Sequence, residues 1–435
     1  MATREELKQR ACEAIDKNRD KIIALGDAIF SEPELGYKEF KTAEKVKKAF
    51  DEMGYTYTDG HAITGIIAPL KGGESKVKVA IMGELDAVVA PNHRCANKET
   101  GAAHSCGHHA QIASMVGAAY AFKDTGILEE LGGDVVLMAV PAEEYVELGY
   151  RNELRKAGKI WFLGGKQEFV RLGLYDDIDI CVMQHTELGN VINCGQKYNG
   201  FVGKLVQYIG KEAHAGGAPH LGINALNAAQ IGLMAVNANR ETFQDKDQIR
   251  VHPIITKGGD LVNVVPADVR IETYVRGNNV PAILDGSFKV TRAFKAGGDA
   301  VGAQCEVTEL PGYMPFVVNN ELDDVMYQNA LKLVDTDKIK VDLEGPGTGG
   351  STDAGDLSHI MPIIHAHVGG AEGIFHSESF EVPDKELAYI TAAKLLATTT
   401  IDLLADGAAK ALEIKSHFKP LMTKEEYLKD WGHIE

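Results

Sequence analysis

The densest chemistry in the chain is His104-Ser105-Cys106-Gly107-His108-His109-Ala110-Gln111, which sets a thiol and three imidazoles within six residues. On a helix, side chains two positions apart diverge by roughly 200°, whereas in an extended turn they point the same way. Cys106 and His108 therefore reach one metal ion only if the segment is extended here and helical afterwards. Ile112, Met115, Val116 and Ala119 fall at i, i+3, i+4 and i+7, which predicts that following helix. The competing reading is a buried cysteine beside solvated histidines at a helix start.

A second set of candidates sits where apolar runs end. Val77–Met82 leads into Gly83-Glu84-Leu85-Asp86, and alternation puts Glu84 and Asp86 on one face. Asp134–Val140 ends in Pro141-Ala142-Glu143-Glu144, and Ile178–Met183 ends in Gln184-His185-Thr186-Glu187. Three apolar strands that each deliver an acidic residue or a histidine at the C-terminal end describe the crevice of an open α/β sheet. Glu143 and Glu144 are neighbours, so in an extended segment one can bind metal while the other stays free as a general base. His376, in Gly373-Ile374-Phe375-His376-Ser377-Glu378, adds another imidazole. Together Cys106, His108, Glu144, His185 and His376 supply S, N and O donors suited to zinc or a similar first-row ion, and two bridged ions use five ligands better than one tetrahedral site. Singly each residue has a plainer explanation, a solvated glutamate pair or a hydrogen-bonded core histidine. His214, in Glu212-Ala213-His214-Ala215-Gly216-Gly217, reads alone as a loop histidine, and Asn263 is weak alone. Arg276 at a strand end is a candidate bidentate partner for a carboxylate, with a surface salt bridge as the default.

These side chains need a scaffold, and the apolar pattern supplies one. Ala11–Asp16, Lys21–Ile29 and Thr42–Met53 carry helical spacing, the last stopped by Gly54, and Thr64–Leu70 and Val77–Met82 read as strands. From about Gly200 the order becomes strand Val202–Ile209, helix Asn224–Asn239, strands Ile249–Thr256 and Arg270–Arg276, helix Val280–Ala296, strand Ala303–Glu309. That β-α-β-β-α-β order is the ferredoxin-like split pattern and suits a small inserted domain. Helix Glu321–Val334, a Gly-rich loop over 345–350, strand Ile360–Val368 and helix Asp384–Leu404 close the chain. The expected fold class is α/β: a catalytic domain with a mixed, largely parallel sheet and helices on both faces, in two parts (residues 1–198 and 313–435), interrupted by an α+β domain over 199–312.

The 435 residues exceed one ordinary core, and about two to three domains is the expectation from length. A net charge of −17 argues against nucleic acid or an anionic membrane as partner. The charged start Met1-Ala2-Thr3-Arg4-Glu5-Glu6 has no apolar signal region, and no apolar run approaches the ~18 residues of a membrane span. Cysteines 12, 95, 106, 181, 194 and 305 are scattered without paired spacing, which predicts free thiols and a cytoplasmic setting.

As an ordered set, these segments resemble the aminoacylase/carboxypeptidase family of di-metal amidohydrolases, in the branch of indole-acetyl-amino-acid and p-aminobenzoyl-glutamate hydrolases. The resemblance runs through Pro33-Glu34-Leu35-Gly36-Tyr37, Glu84-Leu85-Asp86-Ala87, Cys106-Gly107-His108, Pro141-Ala142-Glu143-Glu144, His185, His214 to Pro219, Asn263-Val264-Val265-Pro266, Ser351-Thr352-Asp353-Ala354-Gly355-Asp356 and Phe375-His376-Ser377. It implies hydrolysis of the amide of an N-acyl or N-aroyl amino acid or a dipeptide, with two divalent ions per subunit, zinc or manganese. Cys106, His108, Glu144, His185 and His376 would be the ligands, Glu143 the general base that activates a metal-bound water, and Asp86 the group that orients a ligand. His214 would stabilise the oxyanion, often in the partner subunit's site, and Asn263 and Arg276 would hold the substrate's carboxylate. The inserted domain would act as a lid and carry the contact of a homodimer or larger homo-oligomer. The chain departs from the family's Cys-Gly-His-Asp-x-His at His109 and Gln111, which leaves His109 as an extra ligand, an outer donor or the cause of a weakened second metal site. The alternatives are an exopeptidase or deacetylase acting on ordinary peptides, and a catalytically silent binder of amino-acid conjugates.

Overall fold

The structure, a computed structural model, describes residues 2–345, 347 and 349–432. Its centre is an eight-stranded sheet in the order Thr58–His61, Gly65–Leu70, Asp134–Val140, Lys78–Glu84, Ile180–Leu188, Ile363–Ala371, Val191–Gly195, Lys340–Glu344. The four strands from Asp134–Val140 to Ile363–Ala371 run parallel to one another, and antiparallel neighbours flank them. Every residue of Asp134–Val140 is buried, as a strand covered on both faces requires. Alternation divides each strand between two cores: Val79, Ile81, Val135 and Leu137 pack with one, Ala80, Met82, Val136 and Met138 with the other.

The first core lies under helices Arg4–Lys17, Arg19–Phe30, Phe40–Met53, His108–Thr125, Asn320–Leu333 and Ala392–His417. The second lies under the short helices Leu148–Lys156, Gly165–Arg171 and Lys424–Asp430. Helix His108–Thr125 is buried without a break from His108 to Phe122, because it threads between the sheet and helices Arg4–Lys17, Arg19–Phe30, Phe40–Met53 and Ala392–His417 and exposes no polar face. The chain is thus an α/β protein with a mixed, largely parallel sheet.

Between Gly200 and Leu310 a second, fully antiparallel sheet runs in the order Arg250–Val251, Asp268–Gly277, Gly200–Ile209, Gln304–Leu310, with Ile254–Lys257 also on Asp268–Gly277. Helices Ala225–Ala238 and Val280–Val301 cover one of its faces. In Asp268–Gly277, Val269, Ile271, Thr273 and Val275 are buried and the residues between them are not, as one covered face dictates.

Three elements differ from the sequence pattern. The expected strand Ile249–Thr256 is two pieces, Arg250–Val251 and Ile254–Lys257, because Pro253 between them has no amide hydrogen to give a ladder. The strand expected at Ile178–Met183 continues to Leu188, so His185 and Glu187 lie in the strand and not beyond it. The closing helix continues past Leu404 to His417, preceded by a π-helical turn at Glu386–Thr391 and broken at residues 405–408, where Asp406, Gly407 and Ala408 take left-handed backbone angles. By length and hydropathy the span Glu386–His417 could cross a membrane, yet 89% of its apolar 18-residue window is buried inside the fold, where it serves as a core helix. In the Gly-rich loop, Pro346 and Thr348 lie outside the described residues.

Candidate active site and metal centre

The C-terminal ends of the parallel strands open onto a cavity of about 520 Å³. Its lining includes Cys106, Glu143, Glu144, His185, His376 and Arg276. Just before helix His108–Thr125, Gly107 takes φ +94°, which turns the chain from the extended Cys106 into the helix. A Cβ there would come within 2.5 Å of Thr186, so only glycine fits. Thr186 Oγ1 in turn donates to Gly107 O at 3.0 Å, tying the cysteine turn to the strand that carries His185.

Two trios of metal-capable side chains share the Cys106 thiol, beside a third trio of Glu84, His108 and Glu143. In one, His376 Nε2 lies 3.3 Å from Cys106 Sγ and 3.1 Å from Glu144 Oε1. In the other, His185 Nε2 lies 3.4 Å from Cys106 Sγ and is joined by His108. Within each trio the donor atoms all lie within 4.8 Å of one another. Both histidines of this second trio are fixed through the far nitrogen: His108 Nδ1 donates to Asp86 O at 2.9 Å, and His185 Nδ1 to Thr186 O at 2.7 Å. That leaves each Nε2 lone pair turned to the cluster, the arrangement of metal-binding imidazoles. His108 Nε2 is buried and makes no hydrogen bond among the described residues; its nearest carboxylate oxygen is Glu84 Oε2 at 3.2 Å. Convergent S, N and O donors with a buried imidazole lone pair left over fit a divalent first-row ion.

The charges agree with that fit. Burial and Glu144 push the Cys106 thiol up, but His185, His376 and His108 outweigh them and bring it down to about 6. Burial likewise raises Glu144, and His376 overrides it to hold the carboxyl at about 2. Glu143 goes the other way. Its burial, with Glu84 and Glu144 nearby, pushes it well above the ordinary carboxyl range. Tyr313 donates to Glu143 O at 2.5 Å, and Glu144 N donates to Asp86 Oδ2 at 2.9 Å, so the backbone of the pair is pinned while the two side chains part. Glu143 Oε2 comes to 3.8 Å from His108 Nε2 and lines the cavity. His376 adopts φ +60°, a conformation few non-glycine residues take, and its N–H donates to Ser105 O at 2.9 Å.

The remaining sequence candidates scatter. Arg276 reaches the cavity from the second sheet, donates to Gly349 O at 3.2 Å and Ser351 Oγ at 3.1 Å, and lies over the rings of Phe201 and Tyr274. His214 and Asn263 are exposed in the segment that carries the second sheet and are not among the residues lining the cavity. His109 turns away from the metal trios into a buried cluster with Phe30, His104 and Tyr389, where burial and His108 push it down to about 3. Gln111, the other departure, clamps Glu84: its Nε2 donates to Oε2 at 2.7 Å.

Several residues escaped the sequence reading. Lys166, fully buried, places Nζ 2.5 Å from both Glu84 Oε1 and Asp353 Oδ1 beneath the cluster. Tyr198, Glu187, His365 and His367 line the cavity. The pair His365 and His367 had a legible signal, two histidines two apart in an apolar strand, which alternation sets on one face. Lys166 had none, since its partners lie 82 and 187 positions away.

Comparison with known proteins identifies the family. The profile of Peptidase family M20/M25/M40 matches residues 80–400. The chain belongs to this family. Its members are hydrolases, and so is this protein. It is 27% identical over 451 residues to the mouse (Mus musculus) Xaa-Arg dipeptidase, covering 98% of this chain and 95% of that one. It is 29% identical over 334 residues to one of the subunits of the Escherichia coli p-aminobenzoyl-glutamate hydrolase, covering 73% of this chain and 63% of that one. Among solved structures it is similar to a dinuclear metal binding peptidase of the M20 family from Bacillus subtilis, with a TM-score of 0.65 at 20% identity over 89% and 99% of the two chains. This family member is metal-binding, and its donor set sits in the crevice of the sheet.

Proposed function

We propose that the protein hydrolyses the amide bond of an N-acyl or N-aroyl amino acid or of a dipeptide. The observation that carries the reading is Glu143: a buried carboxyl with a raised pKa on the wall of the cavity, outside the two trios that share Cys106 and grouped instead with Glu84 and His108. A carboxyl whose affinity for a proton is raised, facing the cavity, is what a hydrolase needs at that point. The mouse relative, alignable over nearly the whole chain, supports dipeptides within this class.

In this reading Cys106, His108, Glu144, His185 and His376 hold two divalent ions, zinc or manganese. Bound there, the ions supply Lewis-acid polarisation of the amide carbonyl and acidify water. Glu143 takes the proton of the attacking water and returns it to the leaving nitrogen. Asp86 holds His108 in the tautomer that presents Nε2. Arg276 takes the substrate carboxylate, with Asn263 and His214 brought to it from a partner subunit, where His214 faces the oxyanion. Residues 199–312 act as a lid and as the homodimer contact; Met234, Phe288, Leu284 and Ile231, exposed on the two helices of the second domain, support that contact. Six free cysteines support a cytoplasmic setting.

The test is an amide panel on metal-stripped protein reconstituted with each ion, together with Glu143→Ala. Turnover of an N-acyl amino acid or dipeptide is expected, and Glu143→Ala abolishes it with metal content intact. Normal rates in that variant would refute the role of Glu143. No cleavage with any ion would put the silent binder ahead.

A further inference from the structure

Within the same cavity, one wall is a single hydrogen-bonded chain of side chains that the proposed reaction leaves unused. Strands Ile180–Leu188 and Ile363–Ala371 pair in parallel with His367 opposite His185, so Glu187, His365 and His367 crowd around the His185 ring. The His367 and His365 rings stack on that of His185 at 5.3 and 5.8 Å between centroids. Glu187 Oε2 lies 2.7 Å from His367 Nδ1. Tyr198 Oη bridges His367 Nε2 and His365 Nδ1, the latter at 2.8 Å.

The inventory of donors fixes the direction of this chain. A carboxylate only accepts, so His367 Nδ1–H donates to Glu187. The neutral ring then has an accepting Nε2, which takes the Tyr198 O–H. Tyr198 oxygen in turn accepts from His365 Nδ1–H. What remains is the lone pair of His365 Nε2, on a ring 1% exposed, without a partner. Glu187 accepts one further bond, from Leu188 N at 2.8 Å, and a carboxylate has room for about four. Every unused hydrogen-bonding position on this wall is therefore an acceptor. Arg276, projecting from the second sheet into the same cavity, offers only donors.

We propose that the wall of Glu187, His367, Tyr198 and His365 is the subsite for an amino-bearing end of the substrate, so that the favoured amides carry a free amino group on the side away from their carboxylate. This rests on the amidohydrolase reading and narrows it, from N-acyl amino acids and dipeptides together to amides with a free amine, dipeptides foremost. The acceptors recognise the amine in the way Arg276 recognises the carboxylate, and the aromatic rings of Tyr145, Phe201, Tyr274 and Tyr313 fill the space along the cavity. A substrate without the amine leaves the His365 lone pair buried and unpaired, and sites built to bind an N–H reject analogues lacking it strongly.

The experiment compares each alanyl dipeptide with its propionyl isostere, the same C-terminal residue kept, on full-length protein reconstituted with zinc or manganese. The expected kcat/KM ratio is on the order of 100 in favour of the alanyl compound, well inside the limit for discrimination by a lost hydrogen bond. In Glu187→Gln, Tyr198→Phe and His365→Phe the ratio falls toward unity, because the alanyl rate drops more than the propionyl rate. Calorimetric binding to Glu143→Ala, which separates recognition from turnover, is expected to show the same preference and its loss in the Tyr198→Phe combination. Equal turnover of both compounds by the unmodified protein overturns the proposal and leaves the amidohydrolase reading standing. So does a ratio that survives all three substitutions. Hydrolysis of neither compound by the metal-loaded protein overturns the reading itself, and this proposal with it.

Discussion

Lys166→Met tests the ion cluster on which the metal centre rests. Lys166, Glu84 and Asp353 are all fully buried, and the ammonium bridges the two carboxylates. Burial drives Glu84 up and Lys166, with His108, pulls it below the ordinary range; burial raises Asp353 to about 6 against the pull of Lys166. Removing one partner of a buried pair costs about 3–5 kcal/mol, because the other charge stays buried and unpaired. Here two carboxylates lose the ammonium: Glu84 keeps Gln111 at 2.7 Å and His108 Nε2 at 3.2 Å, and Asp353 keeps Lys166 N at 2.8 Å. The expected loss is therefore within that range, read by urea unfolding with the fluorescence of Trp161 and Trp431, the two tryptophans of the chain. The pH sign follows from linkage. Without the ammonium both carboxyls titrate above their unfolded values, so their contribution is fully present below about pH 4 and is lost as pH rises through the folded values. The gap between variant and parent then widens from pH 5 to pH 8. A triple variant with Glu84→Gln and Asp353→Asn recovers most of the loss, since no charge is left unpaired. A loss under about 1 kcal/mol at pH 8, or a gap that narrows as pH rises, refutes the reasoning.

Gly107→Ala adds a Cβ within 2.5 Å of Thr186 at φ +94°, so it is expected to lower the melting temperature and the affinity for metal measured by titration, by about 1–3 kcal/mol in stability. Asp323 has its carboxyl raised to about 8 by burial alone, so its contribution is full below about pH 4 and is lost as pH rises toward 8. Asp323→Asn is therefore expected to stabilise the protein on the order of 2 kcal/mol at pH 8 and much less at pH 5, by urea titration at both values. If His214 serves a partner's site, Glu143→Ala and His214→Ala, each nearly inactive, regain up to roughly a quarter of full activity when mixed and allowed to exchange subunits, since a hybrid dimer holds one intact site. No regain on mixing, with exchange shown by mass, places His214 outside catalysis.

Much of the site was written in local sequence. The strands announce themselves by apolar runs because both faces are buried, and their C-terminal ends carry Glu84, Glu143 and His185 because that is where a parallel sheet opens a crevice. Cys106-Gly107-His108 also declares itself, since a glycine between two metal-capable side chains lets an extended turn become a helix start. What the chain alone could not decide is everything that depends on distant segments meeting. His109 stood open between an extra ligand, an outer donor and the cause of a weakened second site; the helix rotates it about 100° from His108, into Phe30 and Tyr389. Lys166 carries no signal in the sequence and is the buried counter-ion of residues far away in the chain. Glu187, Tyr198, His365 and His367 form one wall only because two strands some 180 positions apart pair in parallel. Residue type and short spacing determined which atoms could do chemistry; sheet order and register decided which of them share a cavity, because hydrogen-bonded partners are chosen by space and not by distance along the chain.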